Sequence, residues 1–114
     1  MALLPSDLLR GTLDLLALKA LSVGPIHGWG LAQRIGRLSR DALAVNQGSL
    51  YPALQGLKRR GWVRARWQSS ENNRRAVYYE ITGAGLKQLE REEARWHEAA
   101  RAVNSVLRLA NAEG

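Results

Sequence analysis

Between Lys58 and Arg75 the chain carries seven basic side chains, Lys58, Arg59, Arg60, Arg64, Arg66, Arg74 and Arg75, against the single acid Glu71. Guanidinium groups meet phosphates in a planar fork and release condensed counterions, so such a cluster suits a polyanion, and nucleic acid is the foremost polyanion. Residues 86–114 hold five basic and five acidic groups, so the net charge of +7 is concentrated in one stretch. A solvated face that serves only solubility is the competing reading of any charge run. Other chemistry is poorly provided for. The absence of cysteine removes disulfides, thiolate zinc sites and cysteine nucleophiles together. His27 and His97 have no companions at ligand spacing, so no metal is expected, and His27 reads as a turn or helix-start residue. No nucleophile stands beside a base, no carboxylate pair lies in an apolar setting, and HGWG is a lone Gly-x-Gly. Neither catalysis nor a cofactor is expected.

A chain of 114 residues, 46% hydrophobic and 24% charged, supports one modest core. The start, MALLPSDLLRG, lacks a basic n-region and is broken by Pro5 and Asp7, which is unlike a secretory signal. Lys19 interrupts the best apolar run well short of membrane-spanning length. These features predict a soluble, cytoplasmic protein.

Near the start of the chain, Leu13, Leu16, Ala17, Ala20 and Leu21 share one helical face, which predicts a helix over 12–21. Gly24, Pro25 and Gly28 break it. A second helix restarts near Gly28 and runs to about Arg40, with Leu31, Ile35 and Leu38 inward and Gln33, Arg34 and Arg37 on wet faces. Asn46 or Gln47 opens a third, with Leu50, Ala53, Leu54 and Leu57 at helical spacing, Pro52 within about the first turn and Gly61 as its stop. From Trp62 the period changes to two, and after the polar turn SSENNRR a second alternating run includes Val77, Tyr79 and Ile81, so a basic-tipped hairpin is expected. Trp62 and Trp67 fall on opposite strand faces, which puts at least one in the core.

Three helices followed by a hairpin is the order of a winged helix-turn-helix, giving a mainly α fold with a small β-hairpin. In that arrangement Asn46, Gln47, Ser49 and Tyr51 stand at the front of the helix that enters the major groove, while Lys58 and Arg59 close it and Arg74 and Arg75 arm the hairpin tip. Asn46 serves equally well as a helix cap, and Tyr51 and Pro52 as packing residues. Asn72 and Asn73 fit turn geometry.

A final helix is predicted from Thr82 to about Ala110, roughly 40 Å long at 1.5 Å per residue. Leu86, Leu89, Glu93, Trp96, Ala100, Val103, Leu107 and Ala110 step by threes and fours, a heptad seam that nothing else in the chain is left to cover. A homodimer follows, with Leu89, Trp96, Ala100, Val103 and Leu107 at its interface. Residues 1–82 would form the DNA-binding domain and 83–114 the dimerisation helix.

The strings GTLDLLALKAL from Gly11, GPIHGWGLAQRI from Gly24, VNQGSLYPALQGLKRRGWV from Val45 and SENNRRAVYYEITGAG from Ser70 resemble the PadR family of winged-helix transcriptional regulators. The resemblance runs from about Leu9 to Val106, and SLYPAL combined with ENNRR is highly specific. It implies a dimeric repressor of the compact type with one C-terminal helix, acting on genes for detoxification, efflux or phenolic-acid handling. It also implies that Gln47, Ser49, Tyr51, Arg74 and Arg75 contact double-stranded DNA, and the two-fold symmetry of a dimer predicts a pseudopalindromic operator. Trp29 departs from the family's tyrosine, keeping the ring and losing the hydroxyl. Some compact relatives bind flat aromatic compounds between interface tryptophans, which makes Trp96 a candidate for lining an effector pocket; a plain interface anchor explains it equally well. The rival functional reading is a winged-helix protein-interaction module. An RNA binder would need an exposed aromatic platform for unpaired bases.

Overall fold

The computed structural model describes residues 12–113, with side chains as far as Arg108. The N-terminal segment read as no secretory signal, including Leu9 and Gly11 of the resemblance, lies outside the described residues, as does the Ala110 side chain. Helix α1 (Leu13–Leu21) buries Ala17, Leu18, Ala20 and Leu21. Helix α2 (Gly28–Leu38) buries Leu31 and Ile35, and helix α3 (Gln47–Arg59) buries Leu50, Leu54 and Leu57. Strands β2 (Val63–Ser69) and β3 (Arg75–Ile81) form the hairpin, and helix α4 (Gly83–Glu113) completes the chain. The architecture is therefore the expected mainly helical winged helix-turn-helix with a long C-terminal helix.

Five local features differ from the sequence expectation, the first being Leu38, expected inward but 62% exposed as the last residue of α2. Strand β1 (Ile26–His27) pairs antiparallel with β3, so the sheet has three strands in the order β1-β3-β2. Two residues are too few for any period to register. Arg34, expected on a wet face, is partly buried, and its Nη1 donates to the carbonyls of Ala20 (3.0 Å) and Gly24 (2.7 Å). It thereby satisfies the Ala20 carbonyl, which the end of α1 leaves without a helical partner, and the carbonyl of Gly24 in the loop that follows. Pro52 is the sixth residue of α3 rather than part of the first turn, and lacks the N–H that would reach the Gly48 carbonyl. Trp62 precedes β2 instead of opening it; it packs against the core, as expected of at least one of the two tryptophans, and Trp67 is 61% exposed.

The β2–β3 register runs from Val63↔Ile81 to Ser69↔Arg75. At the tip, Asn73 N–H donates to Ser70 O (2.9 Å), Ser70 N–H donates to Arg74 O (2.7 Å), and Asn73 takes φ 59°. Asparagine tolerates that left-handed conformation better than most residues, which explains its presence in the turn.

The root of the hairpin and the start of α4 form one joint. Thr82 Oγ1 donates to Gly61 O (2.7 Å) and accepts from Gly85 N–H (3.0 Å), while Thr82 N–H donates to Trp62 O (3.0 Å). A β-carbon on buried Gly85 would collide with the Trp62 carbonyl and lie 2.7 Å from Ile81 Cγ1, whereas one on Gly83 would meet nothing. Past this joint α4 stays on the body through Leu89 in the core and Glu93, paired with Lys19 of α1 at 3.1 Å, and then leaves it: Trp96, Val103, Val106 and Leu107 are 48–68% exposed.

Gly85→Ala is expected to destabilise the fold by about 1–3 kcal/mol through overpacking against backbone, whereas Gly83→Ala should be neutral or slightly stabilising. Urea unfolding of the two variants checks this, and equal midpoints would refute the close packing.

Candidate nucleic-acid interface

Helix α3 has two unlike faces. Leu50, Leu54 and Leu57 are 0% exposed, while Gln47, Ser49, Tyr51, Lys58 and Arg59 all stand in solvent. Asn46 caps the helix: its Oδ1 accepts from Ser49 N–H at 2.8 Å. Its side chain is nonetheless exposed, so the capping role leaves it at the same surface.

Gln47 and Tyr51 come together with Arg74 and Arg75 around an open cleft of about 500 Å³ between α3, the hairpin tip and the start of α2. His27 and Trp29, which sequence reasoning did not assign to a site, also line it. His27 caps α2 through Nδ1, which accepts from Gly30 N–H at 3.0 Å. A neutral ring that accepts at Nδ1 carries its proton on Nε2, available as a donor. On the other side of Tyr51 a second cleft of about 260 Å³ is lined by Gln55, Lys58, Arg66 and Trp67. Tyr51, Val77 and Tyr79 border both clefts, so the two form one groove between α3 and the wing. Ser49 and Arg59 line neither, and Asn46 lies at a neighbouring depression with Trp29 and Gln47.

The additional groove residues had partial sequence signals. Gln55 and Lys58 follow Tyr51 at helical spacing, and alternation puts Trp67, Val77 and Tyr79 on one sheet face. What could not be read was that this face would turn toward α3. Tyr79 is buried there, and burial pushes its phenol above the ordinary pKa of 10.0; neighbouring Tyr51 adds to the shift and a hydrogen bond with Gln55 opposes it. The neutral phenol is thus favoured in the folded state, and the stability it contributes is lost as pH rises past its ordinary value.

The cations of the basic stretch fall into two groups. Arg60 is paired with Asp14 at 3.2 Å and lies over the Trp62 ring at 5.2 Å; Arg64 is paired with Glu80 at 2.9 Å. Lys58, Arg59, Arg66, Arg74 and Arg75 are exposed and, among the described residues, have no carboxylate within 4.0 Å. Arg75 lies 5.6 Å from the Trp67 ring centroid. The groove therefore joins unneutralised cations to amide, hydroxyl and aromatic groups, a surface suited to phosphates and base edges.

Of the seam residues on α4, Leu89 turns into its own core, Ala100 is half-buried, and Trp96, Val103 and Leu107 are exposed. Among the described residues, no helix is long and apolar enough to cross a membrane, and no group of three or more His, Cys, Asp or Glu could hold a metal ion.

Residues 17–91 match the family described as the Transcriptional regulator PadR-like family. A PadR-like transcriptional regulator from Bacillus cereus is 27% identical, with TM-score 0.75 over 89% of this chain and 96% of its own. A PadR family transcriptional regulator from Eggerthella lenta is 30% identical, with TM-score 0.74 over 89% of this chain and 86% of its own. A transcriptional regulator from Clostridium thermocellum shares the fold at TM-score 0.79 and 24% identity, over 90% of this chain and 97% of its own.

Asn46→Ala should lower stability by about 1 kcal/mol through loss of the α3 cap, and Asn46→Asp should retain most of it. Thermal unfolding distinguishes the two; equal losses would show that the cap is not what Asn46 contributes to stability.

Proposed function

The chain belongs to the PadR-like family of transcriptional regulators, and from that premise we propose that it is a sequence-specific, dimeric DNA-binding repressor released by a small aromatic effector. It is a regulator and not an enzyme. The observation that carries the DNA reading is the groove in which Gln47 and Tyr51 of α3 face Arg74 and Arg75 of the wing.

In this reading residues 1–82 are the DNA-binding domain and α3 lies in the major groove. Gln47, Ser49 and Tyr51 meet base edges or phosphates there, and Asn46 stands beside them. Lys58 and Arg59 contact phosphates, while Arg74 and Arg75 reach the adjoining minor groove or backbone. Residues 83–114 form the dimerisation helix. The exposed apolar face containing Trp96, Val103 and Leu107 supports pairing with a second copy, with Ala100 between them and Leu89 at the junction with the core. Two-fold symmetry then demands a pseudopalindromic operator with half-sites about one helical turn, or a multiple, apart. Trp96 offers an exposed ring at the seam for a planar aromatic effector. The site of action in this reading is the cytoplasm.

Two measurements test these assignments. Fluorescence anisotropy of labelled duplex from the gene's own upstream region, with competitor DNA and several salt concentrations, should show specific binding that weakens steeply with salt. The double variant Arg74→Ala/Arg75→Ala should lower the salt slope by about one unit for each phosphate that no longer meets an arginine. Absence of duplex binding at low salt would favour a protein-interaction module instead. Separately, light scattering should find a dimer for the native chain and a monomer for Val103→Glu/Leu107→Glu. A native monomer would remove the dimer, and failure of planar aromatics to alter the fluorescence of a variant with Trp96 as its only tryptophan, or to release DNA from the native protein, would remove the effector.

A further inference from the structure

We infer that Trp67 is a positioning residue for DNA binding: its indole holds the Arg75 guanidinium at the groove between the wing and α3 without neutralising it. The inference rests on the DNA-binding reading above and adds a role for a residue outside it.

Arg75 and Trp67 occupy one sheet face. The register pairs Trp67 with Val77 and Ser69 with Arg75, so Arg75 is the diagonal neighbour of Trp67, on the face that also carries Val77 and Tyr79. Tyr51 and Lys58 of α3 border the same groove, so this face is the one turned toward α3. The guanidinium carbon lies 5.6 Å from the Trp67 ring centroid, within the range of a cation–π contact. The indole is 61% exposed, so packing into the core does not account for it.

Arg64 is held in a different way. On the other sheet face it gives its Nε–H to Glu80 at 2.9 Å, and so has part of its charge and one of its donors already committed. A ring partner attracts the cation through its quadrupole but accepts none of the in-plane N–H groups, so the planar fork remains available for phosphate or base edges. Holding a long side chain near its bound orientation also reduces the rotamer freedom given up on binding. The wing thus carries one arginine committed to a carboxylate and one pre-oriented by an indole with its donors free.

The test uses anisotropy with a labelled duplex that the native protein selects from a random 30-base-pair pool. Trp67→Leu keeps an apolar side chain and removes the ring; it should weaken binding roughly two- to fivefold, the size of an exposed cation–π contact. Trp67→Phe should recover part of that affinity. In the Arg75→Ala background, Trp67→Leu should have no further effect, and Arg75→Ala alone should lower the salt slope by about one unit while Trp67→Leu leaves it nearly unchanged. A structural role for Trp67 would instead give losses that add to those of Arg75→Ala, together with a lowered unfolding midpoint. Additive losses, or native affinity in Trp67→Leu, overturn the inference while the native protein's own binding upholds the DNA reading. Failure of the native protein to retain any duplex overturns both.

Discussion

One face of α3 has to vanish into the core so that the opposite face can stand clear of it. As a sequence the helix is a poor one, with Gly48, Gly56 and Pro52 inside its thirteen residues. Two glycines and a proline cost about 5 kcal/mol of helix propensity relative to alanine. Burial of Leu50, Leu54 and Leu57, each worth about 1.5–3 kcal/mol, offsets that deficit by an amount of similar size. The helix therefore exists because α1 and α2 offer Leu18, Leu21, Leu31 and Ile35 to receive it. Its outer face carries little of that burial, which leaves Gln47, Ser49 and Tyr51 exposed for the proposed recognition.

Electrostatic partners divide the basic stretch further. The Asp14–Arg60 pair ties the end of α3 to α1, and the Glu80–Arg64 pair crosses the two long strands. Exposed pairs of this kind contribute little to stability, commonly below about 1 kcal/mol. Their larger consequence is subtraction: they remove two cations from the field that the run of arginines suggests, and leave Arg74 and Arg75 at the wing tip with Lys58 and Arg66 along the groove. A positive surface built by selective neutralisation is narrower and better aimed than the linear charge count implies.

That distinction marks where the sequence is legible. The leucine spacing of α3, the alternation of β2 and β3 and the length of α4 are periodic, and periodicity reveals which residues share a face. Asn46 and Pro52 mark the third helix as a region without being able to place its boundary to the residue. Strand β1 has no period, and the burial of Arg34 depends on carbonyls ten and fourteen residues away. Leu89 sits on the heptad seam and is nevertheless buried by its own body, because the seam begins while α4 is still packed on α1. Period identifies a face; only the tertiary arrangement says what that face meets.

The joint at Thr82 constrains how the proposed dimer could be regulated. Gly61 and Trp62 at the wing root are hydrogen-bonded to Thr82, and Gly85 fits beneath the Trp62 carbonyl with no space for a methyl group. The wing and α4 therefore cannot pivot freely about each other. Trp96 lies thirteen residues beyond Gly83, about 20 Å along the helix from the joint. An effector held there would not reach the reading surface by local contact. It would act by changing how two α4 helices cross, and the stiff joint would carry that change into the separation of two α3 helices. Because half-sites have a fixed spacing on the duplex, a small change in crossing in the proposed dimer would be enough to take one α3 helix out of register.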